Sequence, residues 1–368
     1  MLCRNCDGPP RAGTSQVALR VASMSATPGA GVRLAPEARL PGAAPATHRP
    51  NRWEDMTGFR RLAALLLAML ALLVGVTACA TRPHSEAPAP ADDPASAFPV
   101  KVELPGQPPV TVAQQPKRII SLSPTATETL YAIGAGDQVI AVDQYSNFPA
   151  EAPRTDLSGF TVDAAAVGAH TPDLVIAPDS AAKLADGLKV VNVPTLLTPS
   201  PATLDDAYKQ IEVLGQATGH TKQAAELVDR MRSEIDEIVR TTPRPAQPLN
   251  YFHEVSPDYY TATSQSFVGN VYNLFGLHNI ADPAGGNFPQ LSEEHIVQAN
   301  PNLIFLSDVK CCQVNAAAVA ARPGWNTLDA VQHGRVVELD DDIASRWGPR
   351  VVELVRAIGG GVAKAQNG

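Results

Sequence analysis

Short apolar runs typical of strands alternate along the chain with longer stretches that have room for helices. Short runs rich in β-branched residues, such as RIISLSP at 118–124 and VIAVDQY at 139–145, are typical of buried parallel strands. Longer stretches between them leave room for crossover helices, and the same alternation returns after Pro243. The pattern therefore predicts two α/β lobes, with strands within residues 118–124, 139–145, 173–179, 190–197, 249–255, 302–308 and 335–341.

A long amphipathic stretch joins the two sets of strands. Ala224, Met231 and Ile235 recur at three- or four-residue spacings, with charged residues on the opposite face. We predict one continuous helix that bridges the lobes and limits hinge bending; the alternative is a surface helix within one lobe. The predicted boundaries are 98–220 for the N-terminal lobe, 221–241 for the bridging helix and 242–368 for the C-terminal lobe.

An uncharged apolar run precedes the lobes. It follows Arg60 and Arg61 and ends in small residues before Cys79, the order typical of a lipoprotein export signal. We therefore predict that Cys79 carries lipid and that the protein is anchored to the outer face of the cell membrane. The alternative is a transmembrane helix, because about 17 apolar residues come close to the lower limit for spanning a bilayer.

The residues around this run differ from it in composition. The first 55 are rich in Pro, Ala and Arg without any period, whereas MTGFRR from Met56 begins like an ordinary signal peptide. A Pro- and Ala-rich stretch after Cys79 holds few large apolar residues and is typical of a flexible tether. We therefore predict a signal peptide at 56–78 and a tether at 79–97. Residues 1–55 are predicted to be either a disordered extension or a stretch that an over-long gene model adds to the protein.

Charge and motifs exclude several classes of function. The chain has 29 Lys and Arg against 37 Asp and Glu; nine arginines and four acidic residues precede Cys79, leaving 20 basic and 33 acidic residues beyond it, or about −13. That balance argues against a nucleic-acid partner, which requires a basic face. The sequence holds no G-x-S-x-G, P-loop or H-E-x-x-H motif and no closely spaced metal-ligand cluster. We therefore predict that the protein is neither an enzyme nor a bare-metal receptor.

Four segments carry a resemblance to a known family. The segments 118–149, 171–178, 287–307 and 340–350 resemble the substrate-binding lipoproteins of iron-siderophore and cobalamin ABC importers, a resemblance that extends from residue 98 to the C-terminus. It implies a class III periplasmic-binding fold, a monomer, an ABC permease and ATPase as partners, and a metal chelate that is cargo, with no cofactor. A ferric siderophore is expected first, cobalamin second and haem third; a sensory or adhesive envelope lipoprotein and an exported enzyme are the alternatives.

Aromatic residues follow several of the predicted strands. Flat rings bury much area at low entropic cost and suit a macrocycle or an aryl chelate, although single aromatics also pack under loops. The resemblance places Tyr145 and Phe288 in the cleft, and it shows Gly159 and Pro178 where the cobalamin receptor has tryptophans, which favours a siderophore. Arg346 suits an anionic chelate or pairs with the acidic run 340–342. The expected ligand contacts are Tyr145, Phe160, Tyr259, Tyr260, Phe288, Arg346 and Trp347.

The start of the first helix is visible in the sequence. Ser123 and Pro124 follow a strand as an N-cap and a first-turn proline, and Thr125 with Glu128 offers a second capping box. Ligand contact by Ser123 or Glu128 is the alternative, since a helix N-terminus at the carboxyl edge of a parallel sheet is a common binding place.

Three further features have two interpretations each. His253 is either an axial ligand to a metal centre or a hydrogen-bonded structural residue. The adjacent pair Cys311 and Cys312 forms either a vicinal disulfide or two thiols. The resemblance implies that the permease is met by one exposed acid on each lobe: Glu294 on the second lobe, and Asp163 on the first, where the family position itself is Ala165.

Overall fold

The N-terminal lobe combines a short ribbon with a parallel sheet. A computed structural model describes residues 97–161 and 163–367. Strands β1 and β2 pair antiparallel, and the four that follow form a parallel sheet of order β4-β3-β5-β6. The strands are β1 Val100–Val102, β2 Val110–Val112, β3 Ile119–Ser121, β4 Val139–Val142, β5 Leu174–Pro178 and β6 Thr195–Thr198. The helices are α1 Pro124–Ala132, α2 Ala164–Ala169, α3 Ala182–Lys189 and α4 Leu204–Thr218.

The C-terminal lobe repeats this plan after the bridging helix α5, Thr221–Thr241. Its four strands are parallel, in the order β10-β9-β7-β8. These strands are β7 Asn250–Glu254, β8 His278–Asn279, β9 Leu303–Leu306 and β10 Val336–Glu338. The helices are α6 Phe267–Asn273, α7 Glu293–Ala299, α8 Val309–Cys312, α9 Ala316–Ala320, α10 Asp329–Gln332, α11 Asp341–Ala344 and α12 Val351–Asn367. The prediction of two α/β lobes with parallel sheets is confirmed.

The bridging helix α5 packs against both lobes. Its buried face consists of Ala224, Leu227, Val228, Met231 and Ile235, as its hydrophobic period predicts. On the polar face, one ion pair joins it to α4 of the first lobe and another joins it to α12 of the second. One hydrophobic core runs from the first sheet through this helix to α12. The helix is therefore part of the structure of both lobes.

The helix α1 begins where the sequence predicts it. The Ser123 side chain accepts a hydrogen bond from the amide N–H of Ala126, and Pro124 occupies the first turn. The second predicted capping box is wrong, because the Glu128 carboxylate is buried and binds two arginines instead of the start of the helix. A single serine thus caps α1, and Glu128 is available for the interface between the lobes.

Three details of the strand prediction need correction. The fourth predicted strand starts too early: Val190 and Val191 are exposed in the turn after α3, and the strand begins at Thr195. The β1–β2 ribbon and the two-residue strand β8 are not predicted by the hydrophobic pattern. These elements are too short to display a period. The predicted export signal, Cys79 and the tether up to residue 96 lie outside the described residues.

Candidate ligand-binding site

The carboxyl ends of both parallel sheets lie at the junction of the two lobes. The loop after β4 carries Tyr145 and Asn147, and the segment after β10 carries Asp342 and Arg346. The Asn147 side-chain amide donates a hydrogen bond to Asp342 over 2.9 Å. Arg346 donates to the main-chain oxygen of Tyr145 over 3.1 Å. This edge is where open α/β sheets bind ligands.

Aromatic rings line the first lobe's side of this junction. Tyr145 is 40% exposed and Phe160 is 50% exposed, and their rings meet edge to face with centroids 5.7 Å apart. Phe148 is also exposed, with the Arg350 guanidinium 4.3 Å from its centroid. Exposed aromatic side chains in contact with one another offer an apolar surface to a flat ligand. The structure thus brings two predicted contact residues, Tyr145 and Phe160, together.

The main chain around Gly159 leaves no room for a side chain at the position before Phe160. A Cβ atom on Gly159 would lie 2.3 Å from the main-chain oxygen of Leu122. That distance is far below van der Waals contact, so any side chain here would displace the end of β3. The aromatic side chain at this part of the junction therefore belongs to the next residue, Phe160.

The aromatic residues of the second lobe have mixed environments. Tyr259 stacks on the buried Trp325 with ring centroids 5.6 Å apart, at a positive φ of 67°. Tyr260 is half-buried and pairs through its main chain with Gln290. Phe288 is 38% exposed in a loop that is open to solvent. Among Tyr259, Tyr260 and Phe288, the side chain of Phe288 is the most exposed.

A buried cluster of charges joins the lobes. Glu128 on α1 is 2% exposed, and its carboxylate accepts from Arg346 over 2.7 Å and from Arg350 over 2.6 and 3.0 Å. Arg346 also binds the Asp342 carboxylate over 2.6 Å. The local pairing of Arg346 with the acidic run is thus present, and its contact with Glu128, 218 residues away along the chain, has no local signal in the sequence. The guanidinium of Arg346 is occupied by protein carboxylates and by the Tyr145 carbonyl.

Trp347 lies in the same interface. Its indole N–H donates to the Gln210 side chain on α4 over 3.2 Å, and its ring meets Phe267 edge to face at 6.3 Å. A small cavity beside it, lined by Ser123, Thr125 and neighbouring residues, has room for about one water molecule. Trp347 therefore packs between elements of both lobes.

A second buried group of charges lies at the carboxyl edge of the second sheet. Glu254, the last residue of β7, forms a two-point ion pair with Arg322 over 2.5 and 2.6 Å. Asp308 follows β9 and is fully buried, with the Glu254 carboxylate beside it. Burial, together with the Glu254 carboxylate, raises the pKa of Asp308 to about 8. Asp308 therefore holds a proton at neutral pH.

His253 lies inside the second lobe. Its Nδ1 is 2.9 Å from the Tyr272 hydroxyl, and its Nε2 is 3.3 Å from the Ser307 hydroxyl. Burial lowers the pKa of the imidazole to about 4, so the ring is neutral at physiological pH. Both ring nitrogens thus have protein partners, which is the arrangement of a hydrogen-bonded structural residue. Within residues 97–161 and 163–367, no three His, Cys, Asp or Glu side chains are grouped as a metal site.

The chain shares this architecture with a known family. Residues 119–343 match the family model described as periplasmic binding protein. The chain belongs to that family. The family resemblance and the class III fold predicted from the sequence are therefore confirmed, and so is the prediction that the protein is not an enzyme, because this is a family of binding proteins.

Curated relatives and solved structures agree with the family assignment. The chain is 33% identical over 308 residues to the uncharacterized ABC transporter substrate-binding lipoprotein YvrC of Bacillus subtilis, covering 81% of this chain and 96% of the relative. It is 28% identical over 305 residues to a cobalamin-binding protein of Halobacterium salinarum, covering 80% and 82%. A possible iron-binding (periplasmic solute-binding) protein of Staphylococcus epidermidis superposes with a TM-score of 0.60 at 27% identity, covering 68% of this chain and 99% of that one.

The two predicted docking residues of this periplasmic binding protein are both on the surface. Glu294 is exposed in the first turn of α7, and its carboxylate makes no hydrogen bond or ion pair with the described part of the chain. Asp163 is also exposed and caps α2, accepting from the Ala165 amide over 2.9 Å. No helix within the described ranges has the length and apolar character needed to cross a membrane.

Proposed function

We propose that this periplasmic binding protein is the receptor of an ABC importer and that its cargo is a corrinoid of the cobalamin type. The exposed aromatic pair Tyr145 and Phe160 at the interlobe junction is the observation that carries the proposal. An apolar surface of this kind suits the face of a large macrocycle. The name of the Halobacterium salinarum relative, a cobalamin-binding protein, points the same way.

The charges at the junction favour a cargo without net negative charge. Arg346 is held by Glu128 and Asp342, and Lys310 by Asp340 and Asp342. An anionic siderophore complex that recruited Arg346 would have to displace the Asp342 carboxylate and take one of the two arginine partners from the buried Glu128, which is costly. The proposal thus places cobalamin before a ferric siderophore, the reverse of the order expected from the sequence. The siderophore remains the second candidate, because the Staphylococcus epidermidis structure is described as possibly iron-binding.

Calorimetric titration of the purified protein with cyanocobalamin, ferric siderophores and hemin, each separately, tests the cargo. We expect saturable binding of cyanocobalamin, weakened roughly 30-fold in Tyr145→Ala or Phe160→Ala, as for a truncated aromatic hot spot worth about 2 kcal/mol. Val191→Ala is the matched control, since Val191 is an exposed apolar residue before the amino end of β6, away from the junction. Tight binding of a ferric siderophore alone would replace the proposed cargo, and no binding of any of the three would reject the receptor proposal.

We also propose that lipid on Cys79 anchors the protein to the outer face of the membrane. The support is the order of charged, apolar and small residues before Cys79, and the lipoprotein name of the Bacillus subtilis relative. Cys79→Ser is expected to move the protein from the membrane fraction to the soluble fraction, whereas Cys311→Ser leaves it in place. A membrane-bound Cys79→Ser protein would contradict the lipid anchor and favour a transmembrane segment.

Docking to the permease is proposed to use Glu294 and Asp163. Both carboxylates are exposed, and exposed charges steer the association of two proteins. In a reconstituted transporter, Glu294→Lys is expected to abolish the stimulation of ATP hydrolysis while cargo binding stays unchanged. Glu226→Lys, on the exposed face of α5, is the control. Equal stimulation by both variants would remove Glu294 from the docking surface.

A further inference from the structure

Two adjacent cysteines, Cys311 and Cys312, end the short helix α8 that follows β9 at the carboxyl edge of the second sheet. Their sulfur atoms are 3.0 Å apart, and Cys311 is exposed while Cys312 is half-buried. Sulfurs joined in a disulfide are about 2.0 Å apart, so a shift of about 1 Å would bring this pair to bonding distance. Solvent-borne reagents can reach the exposed sulfur first.

Closing a ring between neighbouring cysteines moves the peptide group that joins them. That group carries the amide of Cys312, which donates to the Asp308 carbonyl oxygen over 3.1 Å and so closes the single turn of α8. A ring of only eight atoms cannot keep this peptide in its helical orientation, and the hydrogen bond is lost when the ring closes. Strained and exposed disulfides are also the easily reduced ones, which makes the reaction reversible.

The turn α8 is attached to the acidic segment after β10. The amides of Lys310 and Cys311 donate to the Asp341 carboxylate over 3.0 and 2.8 Å. The Lys310 ammonium reaches Asp340 over 2.5 Å and Asp342 over 3.4 Å. A change in the backbone of α8 therefore acts on the positions of all three carboxylates.

One of these carboxylates also belongs to the contact between the lobes. Asp342 accepts from the Asn147 side chain of the first lobe over 2.9 Å and from Arg346 over 2.6 Å. The path from the two sulfurs to the other lobe thus consists of α8, the acidic segment and one interlobe hydrogen bond. Each step is a contact between neighbouring groups.

We propose that Cys311 and Cys312 form a reversible dithiol–disulfide switch that loosens the interlobe contact between Asn147 and Asp342 when it is oxidised. The oxidant is a low-molecular-weight disulfide. The Cys311 thiolate attacks one of its sulfurs and releases one thiol; the Cys312 thiolate then attacks the Cys311 sulfur and releases the second. Two cysteine protons go to the two departing thiolates, and two electrons pass from the protein to the oxidant. The switch does not require a particular cargo.

The test compares the full chain after incubation with oxidised glutathione and after dithiothreitol. Mass spectrometry of the proteolytic peptide that follows Lys310 should show the loss of two hydrogen atoms after oxidation and their return after reduction. Hydrogen–deuterium exchange of the Cys312 amide should become about fivefold faster in the oxidised protein, the factor that corresponds to one lost hydrogen bond of about 1 kcal/mol. Exchange of the Lys310 and Cys311 amides, which donate to Asp341, should rise with it. Exchange in the loop that contains Asn147 should rise as well.

Single variants separate ring closure from other effects of the oxidant. Cys312→Ser keeps the exposed sulfur but cannot form the ring, so its exchange around Asn147 should not respond to oxidised glutathione. Asn147→Ala already lacks the interlobe contact, and its oxidation should speed exchange in α8 only. Glutathione adducts without ring closure would overturn the disulfide, and a closed ring with unchanged exchange around Asn147 would overturn the switch.

Discussion

Replacing the buried carboxylate between the lobes is expected to destabilise the protein strongly. Glu128→Gln keeps the size of the side chain and removes its charge, while the buried Arg346 and the half-buried Arg350 stay beside it. The amide oxygen can take the place of Oε1, which accepts from both arginines, so the NH₂ group replaces Oε2 and faces the Nε–H donor of Arg350. The variant therefore loses charge-assisted hydrogen bonds and leaves a buried positive charge with less compensation.

The size of the effect follows from these contacts. Removing one member of a buried ion pair costs about 3–5 kcal/mol, and Glu128 binds two guanidinium groups at distances between 2.6 and 3.0 Å. In a protein of this size, each kcal/mol lowers the melting temperature by about 2–4 °C. The expected decrease for Glu128→Gln is therefore roughly 6–20 °C.

Thermal unfolding followed by circular dichroism measures this change. Glu212→Gln is the matched control, because its pair with Lys209 has an N–O distance of 3.6 Å and side chains that are 51% and 41% exposed. A surface pair of this kind contributes about 0–1 kcal/mol, so the control should melt close to the wild type. If Glu128→Gln also melts within about 2 °C of the wild type, the buried cluster does not hold the lobes together.

Three further predictions concern the interior of the lobes. The folded state retains the Asp308 proton up to about pH 8, whereas the unfolded chain releases it near pH 4. The stability of the wild type to urea should therefore fall as the pH rises between these values, and the fall should be smaller in Asp308→Asn. The pKa of His253 is lowered to about 4, so the free energy of unfolding should fall as the pH drops from about 6.5 to 4, and His253→Gln should remove that part of the acid sensitivity. A variant whose stability depends on pH as in the wild type would refute the pKa assigned to the residue it replaces. Gly269→Ala should unfold at a much lower temperature, because its Cβ would lie 1.9 Å from the Thr263 carbonyl oxygen, whereas Gly168→Ala, with no atom within 4 Å of its Cβ, should be neutral or slightly stabilising.

The architecture could be predicted from the sequence because most of its elements have a local sequence pattern. The run IIS of β3 is apolar on both faces, which is the mark of a strand covered on both sides, and α5 repeats its apolar positions at helical spacing over 21 residues. Ser123 and Pro124 likewise specify the start of α1 through capping within a few residues. Elements without such a period, the β1–β2 ribbon and the strand β8, were not predicted.

Local sequence patterns were not enough to predict the contacts between residues of the candidate site. Tyr145, Phe160 and Phe288 could be selected from the sequence as aromatic residues after strands, yet only the fold shows that the rings of Tyr145 and Phe160 touch. Arg346 could be selected as a cation near an acidic run, and the sequence does contain its partner Asp342 four residues earlier. Its second partner, Glu128, is 218 residues away along the chain.

The sequence by itself therefore determined the two lobes and the bridging helix and was enough to select the aromatic residues, since each depends on neighbours within a few turns or one strand. The tertiary structure alone decided which charges are buried together, why Glu128 does not cap its own helix, and how Cys311 is linked through the acidic segment to the other lobe. The physical reason is that the pairing of distant charges depends on which groups the packed sheets bring within hydrogen-bonding distance. No period or local motif records that proximity.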